Sequence, residues 1–311
     1  MGSTSDRALS SRASIAKSFW SSTGKISSSD DAYADALPAD PPRGLWFMTR
    51  NPYAPVTVVM LHLLFSSHRE WEHVWPKLTE YHLLIPDLPH HSRSRSIKPF
   101  SFSLAADFIA DMIKEHAHDG RAHVVGISTG GYIAQELVRR HPELILSVFA
   151  SGCCPLRNAR LFVVEHPKML HYGLLALLHS PNNMFLRASG WSPELQNADL
   201  LEEIKRNTTS RLSEYGSRDT RNFQQAEVKD TANKGMRVCI IAAGRQDDIE
   251  GARCTARIYR TQGVGEGSES RGYVIRDAIH AWNLQLPEVY AKGIQAWIER
   301  WQMPPEFELL E

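Results

Sequence analysis

The segment His123-Val-Val-Gly-Ile-Ser128-Thr-Gly-Gly-Tyr-Ile-Ala-Gln-Glu-Leu137 sets a serine between Gly126 and Gly130, after a β-branched run and before an amphipathic helical pattern. A chain turning sharply from strand to helix there would hold the Ser128 hydroxyl above the end of a sheet. Glycines flank such a turn because its two arms approach too closely for a Cβ. The helix that follows points the positive end of its dipole at the hydroxyl. Serine is a poor nucleophile at neutral pH, so attack on a carbonyl requires a base, and the base requires an acid to orient it.

Both partners can be sought downstream, in the order serine, acid, histidine. Val238-Cys-Ile-Ile-Ala-Ala-Gly244-Arg-Gln-Asp247 reads as a buried strand, a glycine turn and then a carboxylate. Asp247 is the expected acid; Asp248, expected to face solvent, and Glu250 are the neighbouring alternatives. His280 is the last of 14 histidines and stands between a strand pattern and the closing helix. It is the expected base.

The elements that would position these residues alternate in type. Strands are expected at Leu45–Thr49, Val56–His62, His82–Asp87, His123–Ile127, Leu146–Ser151, Arg237–Ala243 and Tyr273–Arg276. Most are continuous apolar runs, as in parallel strands buried on both faces. Helical spacing occupies Ala105–Glu115, Gly130–Arg140, Ala252–Thr261 and Pro287–Trp301. Such alternation predicts an α/β fold, with a mostly parallel sheet and helices on both faces. The rhythm breaks over 155–235, which is helical in pattern and reads as a cap over a site. Core segments are expected at 41–154 and 236–311. Residues 1–40 are rich in Ser, Ala and Asp and read as a disordered tail, with an organelle transit segment as the alternative.

Composition narrows the function. Thirty-five basic and 35 acidic side chains balance, leaving no electrostatic footprint for nucleic acid. The longest apolar run, Val56–Phe65, is about half the length of a membrane span. Cys153, Cys154, Cys239 and Cys254 lack metal-binding spacing, so no metal is expected and a reduced, cytoplasmic chain is. Oligomeric state is not legible.

Together with Met60-Leu-His62, Glu70-Trp-Glu-His-Val-Trp75 and Asp87-Leu-Pro-His-His-Ser-Arg-Ser94, these segments resemble the α/β-hydrolase superfamily from about residue 44 to 303. The overall pattern is similar to fungal members. The resemblance implies an α/β-hydrolase fold and a Ser128–His280–Asp247 triad. It also implies an oxyanion hole made by the backbone N–H groups of Thr129 and Leu64, with no cofactor. A hydrophobic small-molecule ester, thioester or lactone is the expected substrate; Trp191 and Trp282 could add to its lining, while ordinary core packing is the favoured reading for either one alone. The alternatives are a non-catalytic ligand-binding scaffold, or an acyltransferase or C–C bond hydrolase using the same triad. Three departures stand out. Leu63 replaces the usual glycine after His62, His90 and Ser92 replace two glycines of the next loop, and Ile279 replaces the glycine before the histidine. Left-handed backbone costs a leucine about 1–2 kcal/mol, so Leu63 is expected at negative φ.

Overall fold

The computed structural model describes residues 44–180 and 197–310. The expected N-terminal tail and Trp191 lie outside these residues. Apolar runs become β2 (Val56–Leu61), β3 (Tyr81–Pro86), β4 (Ala122–Ile127), β5 (Ile145–Ser151), β6 (Val238–Ala243) and β7 (Arg271–Ile275). Flanked by β1 (Phe47–Arg50) and β8 (Glu308–Leu309), they form one sheet in the order β1-β3-β2-β4-β5-β6-β7-β8. The six inner strands are mutually parallel, while β1 and β8 run antiparallel at the edges. Two-residue β8 is too short to leave a periodic signal.

Alternate strand residues feed two cores. Val59 and Leu61 face a layer that includes Ile109 of α1 (Phe102–His116) and Ile133 of α2 (Thr129–Arg140). Val58 and Met60 face Trp71, Trp282 and the closing helix, through its Tyr290 and Ile294. Trp282 is fully buried and donates its indole N–H to Ser151 Oγ at 2.8 Å. Of the two readings open to it, site lining and core packing, Trp282 takes the second: its ring fills the core beneath the site.

The insertion after β5 holds α3 (Asn158–Glu165), α4 (Pro167–Leu178), α5 (Ala198–Asn207), α6 (Ser210–Asn222) and α7 (Gln225–Ala232). α6 packs on α3 and α4 and also reaches α2. α7 differs, packing against α2 and against α8 (Ile249–Gln262) on the flank of the sheet. After β7 come the single turn α9 (Trp282–Gln285) and α10 (Pro287–Ile298). Among the described residues no helix is long and apolar enough to cross a membrane. All four cysteines are free.

The sharp β4–α2 turn has no room for side chains at its glycines. A Cβ on Gly126 would sit 2.3 Å from Gly130 O, and one on Gly130 would sit 2.1 Å from Leu61 O. Both obstacles are backbone and cannot swing away. Gly130→Ala should therefore lower stability by roughly 3 kcal/mol, the upper end of overpacking costs. Chemical denaturation would measure it; a loss under ~1 kcal/mol would mean that β2 and α2 can separate freely.

Candidate active site

Ser128 sits at the junction of β4 and α2 with φ 51° and ψ −117°, a conformation a side-chain-bearing residue seldom adopts. It is half-buried, and its N–H donates to Ser151 O at 2.7 Å. α2 begins at Thr129, whose N–H is in the first helical turn and has no intrahelical acceptor.

Asp247 and His280 come from the turns after β6 and β7. The Asp247 carboxylate is nearly buried; Oδ1 lies 2.6 Å from His280 Nδ1, and Oδ2 accepts the Ala243 N–H at 2.8 Å. Gln246 Oε1 accepts the His280 backbone N–H at 2.7 Å, which laces the two turns together. Burial pulls the His280 pKa down, but the Asp247 charge and hydrogen bond outweigh it, leaving it above the ordinary 6.5. No hydrogen bond joins Ser128 to His280. Both adjoin the end of β5: the Ser128 N–H is bonded to Ser151, and the next residue, Gly152, lies against the imidazole. A Cβ on Gly152, at φ 63°, would approach His280 Cε1 to 2.7 Å and Asp247 Oδ2 to 3.2 Å. Sequence reasoning missed Gly152, whose only signal is a glycine directly after a strand.

Asp248 does not face solvent as expected. It caps α8 through Gly251 N–H at 2.9 Å and pairs in a fork with Arg157, leaving 24% of its side chain exposed. Arg157 and the Gly251 amide lower its pKa against the opposing effect of burial.

The loop after β2 is restrained on every side but one. The Leu63 amide donates to Glu70 Oε2 (3.1 Å), the Phe65 amide to His91 Nε2 (3.1 Å) and the Ser66 amide to Leu63 O (3.2 Å). Leu64 N–H finds no acceptor among the described residues. Leu63 keeps negative φ as expected, and Phe65 takes the left-handed turn at φ 68°. In the neighbouring loop the glycine substitutes His90 (φ 68°) and Ser92 (φ 40°) retain glycine-like backbone.

Asn207, buried at the end of α5, explains how Ser92 is held there. Its Oδ1 accepts the Ser92 amide at 2.9 Å, and its Nδ2 donates to Ser92 Oγ, Phe65 O and Ser66 O at 2.9–3.1 Å. Gly216 of α6 adds a second contact: a Cβ there would lie 2.6 Å from Leu64 Cδ2. Neither Asn207 nor Gly216 carried a sequence signal, because each acts on a loop more than a hundred residues away.

A cavity of about 220 Å³ opens on the Asp247 side of His280, lined in part by Cys154, Leu156, Ile241 and Arg160. Ser128 is not in that lining. Outside the site, ligand atoms of His68, Asp87 and Glu203 lie within 4.8 Å of one another. Their lone pairs are already engaged. Asp87 accepts from the His68 ring and from the His68 and Arg93 amides, His68 Nε2 meets Arg93, and Glu203 faces Arg69. Such a cluster is an ion-pair network and leaves little for a cation.

The model of the α/β-hydrolase fold matches residues 56–217. An AB hydrolase superfamily protein from Gibberella zeae is 30% identical over 272 residues, 86% of this chain and 88% of its own. The chain belongs to the α/β-hydrolase fold family. Esterases are among its relatives. A pimeloyl-[acyl-carrier protein] methyl ester esterase from Neisseria meningitidis is 31% identical over 115 residues, 37% of this chain and 41% of its own. A thermophilic esterase structure from Thermogutta terrifontis superposes with a TM-score of 0.63 at 17% identity, covering 82% of this chain and 93% of its own.

Removing the Asn207 amide would strand two loop carbonyls and the left-handed Ser92. Asn207→Ala is expected to cost about 3 kcal/mol, the scale of buried polar groups left unpaired. Thermal melting of both proteins checks it, and an unchanged midpoint would show that water replaces the amide without loss.

Proposed function

We propose that this protein is a serine hydrolase that works through an acyl-enzyme, with Ser128 as nucleophile, His280 as base and Asp247 as the orienting acid. The observation that carries the reading is the strained Ser128, which shares the end of β5 with an Asp247-backed imidazole. As Ser128 Oγ attacks a carbonyl carbon, its proton passes to His280 Nε2, and Asp247 stabilises the imidazolium. Thr129 and Leu64 N–H groups receive the developing oxyanion; the restraint of every neighbouring amide of the loop supports Leu64 as a donor. His280 then returns the proton to the leaving group, and water, activated by the same base, releases the acyl product.

A hydrophobic small-molecule ester, thioester or lactone is the substrate class we favour. Apolar lining beside His280 and an esterase among the relatives support it. Within the cap expected at 155–235, α5 and α6 do the covering: Asn207 and Gly216 bring these helices against the oxyanion loop.

Labelling with a fluorophosphonate and hydrolysis of a panel of acyl esters test the reading. Ser128→Ala should abolish both; retained hydrolysis would remove Ser128 as nucleophile. Asp247→Asn should lower kcat by about 10⁴, as in triads generally. Asp248→Asn should lower kcat less than about tenfold and barely shift the melting midpoint, because asparagine caps a helix about as well as aspartate and only the half-exposed ion pair with Arg157 weakens. If Asp248→Asn is the crippled variant, the acid is misassigned by one residue.

The raised His280 pKa sets the pH dependence. Catalysis needs the neutral imidazole, so kcat/KM should fall on acidification with a midpoint above 6.5. A midpoint well below 6.5 would mean that Asp247 does not support His280 in solution.

A further inference from the structure

Glu70 is fully buried, in the turn His68–Trp71 directly behind the oxyanion loop. Its Oε2 accepts the Leu63 amide at 3.1 Å and its Oε1 accepts Asn283 Nδ2 at 2.8 Å. Leu63 is the residue before the proposed oxyanion donor, and Asn283 lies three residues beyond His280. One carboxylate therefore joins the two loops whose relative position the reaction depends on.

A glutamine would hold the same place with every bond intact. Gln Oε1 could accept from Leu63, and its amide could donate to Asn283 Oδ1 after an amide flip. That oxygen is buried and has no partner now. The carboxylate is thus the costlier choice for stability, and what it adds is charge. Burial pushes its pKa up to about 7, against the opposing donors Leu63 and Asn283 and the positive form of His280. The Ser66 hydroxyl lies alongside without good hydrogen-bond geometry. His280, from the loop after β7, and Tyr290, on α10, are titratable groups that feel Glu70.

We propose that Glu70 is a positioning residue for the reaction: it ties the Leu63 amide to Asn283 and supplies a second negative charge to the His280 imidazolium. This rests on the Ser128–His280–Asp247 reading. Asp247 orients the ring by direct contact. Glu70 acts from behind, fixing the His62–Leu63 peptide, one before the peptide that carries the Leu64 N–H, and favouring the charged imidazole at the moment the oxyanion forms.

The test compares wild type, Glu70→Gln, Glu70→Ala and Ser128→Ala by fluorophosphonate labelling rate across pH, with melting curves. In Glu70→Gln the loop stays held while the charge is gone. Its labelling should slow severalfold, and the acidic limb should move down by roughly half a pH unit, as expected when a nearby negative charge is removed. Glu70→Ala, which also frees Leu63, should label slower still.

Stability should move the other way. A carboxyl held at about 7 when folded, against 4.5 unfolded, loses its favourable contribution as pH rises between those values. Glutamine has no such loss, so Glu70→Gln should gain on wild type in melting temperature from pH 5 to 7. A Glu70→Gln labelling curve that overlays wild type, in rate and midpoint, would overturn the proposal. If Ser128→Ala still labels, the nucleophile is wrong instead, so the two failures are distinguishable. Should Glu70→Ala fail to fold, Glu70→Gln decides alone.

Discussion

Backbone pressed on backbone at the β4–α2 turn governs the rest of the site. With no Cβ on Gly130, the start of α2 settles against the Leu61 carbonyl at the end of β2. The strand that ends at Ser128 and the strand that leads into the Leu63–Ser66 loop are locked together before any side chain contributes. Ser128 is forced into its unusual φ and ψ by the same contact, because a relaxed conformation would carry α2 away from β2. Strain at one residue is therefore sustained by packing along two strands and a helix.

The loops around that turn reach the same end by different means. Where glycine would enter left-handed backbone freely, Ser92 and His90 do so at a cost of about 1–2 kcal/mol each. Hydrogen bonds offset it for Ser92: Asn207 holds both its amide and its hydroxyl, and Glu203 also takes the hydroxyl. The inserted helices are consequently part of the structure that shapes the Leu63–Ser66 loop. That packing also explains Gly216 in the middle of a helix, where glycine costs roughly 1 kcal/mol relative to alanine. The missing methyl is the space filled by Leu64.

What could be read in the sequence follows from the range of the forces involved. Local ones were legible. Aliphatic runs announced six inner strands, and the G-x-S-x-G pattern marked a turn whose geometry depends on four neighbouring residues. The Asp247 and His280 turns were visible because each follows a buried strand. Long-range ones were not. Asn207 works on residues 65, 66 and 92, and Glu70 on residues 63 and 283, with nothing in their local composition to show it. Whether Trp282 lines the site or packs the core, and whether Asp248 faces solvent, is open in the sequence for a related reason. An aromatic beside a catalytic residue, or an acid in an acidic run, looks the same in sequence whether it faces inward or outward. Trp282 faces the core and Asp248 closes a helix.

On the proposed reading, the two acids near His280 do separate jobs. Asp247 is fixed by a backbone amide on one oxygen and the imidazole on the other, which sets the tautomer and the ring plane. An acid so engaged has little freedom to answer movement of the oxyanion loop. Glu70 sits where that loop and the histidine loop meet, and burial pushes its pKa up to about 7 against the pull of its donors and of His280. As the imidazole takes up a proton, its positive charge favours the carboxylate form of Glu70, and that carboxylate in turn favours the imidazolium. On this proposal the side chain that ties the two loops together is also the one that couples their electrostatics.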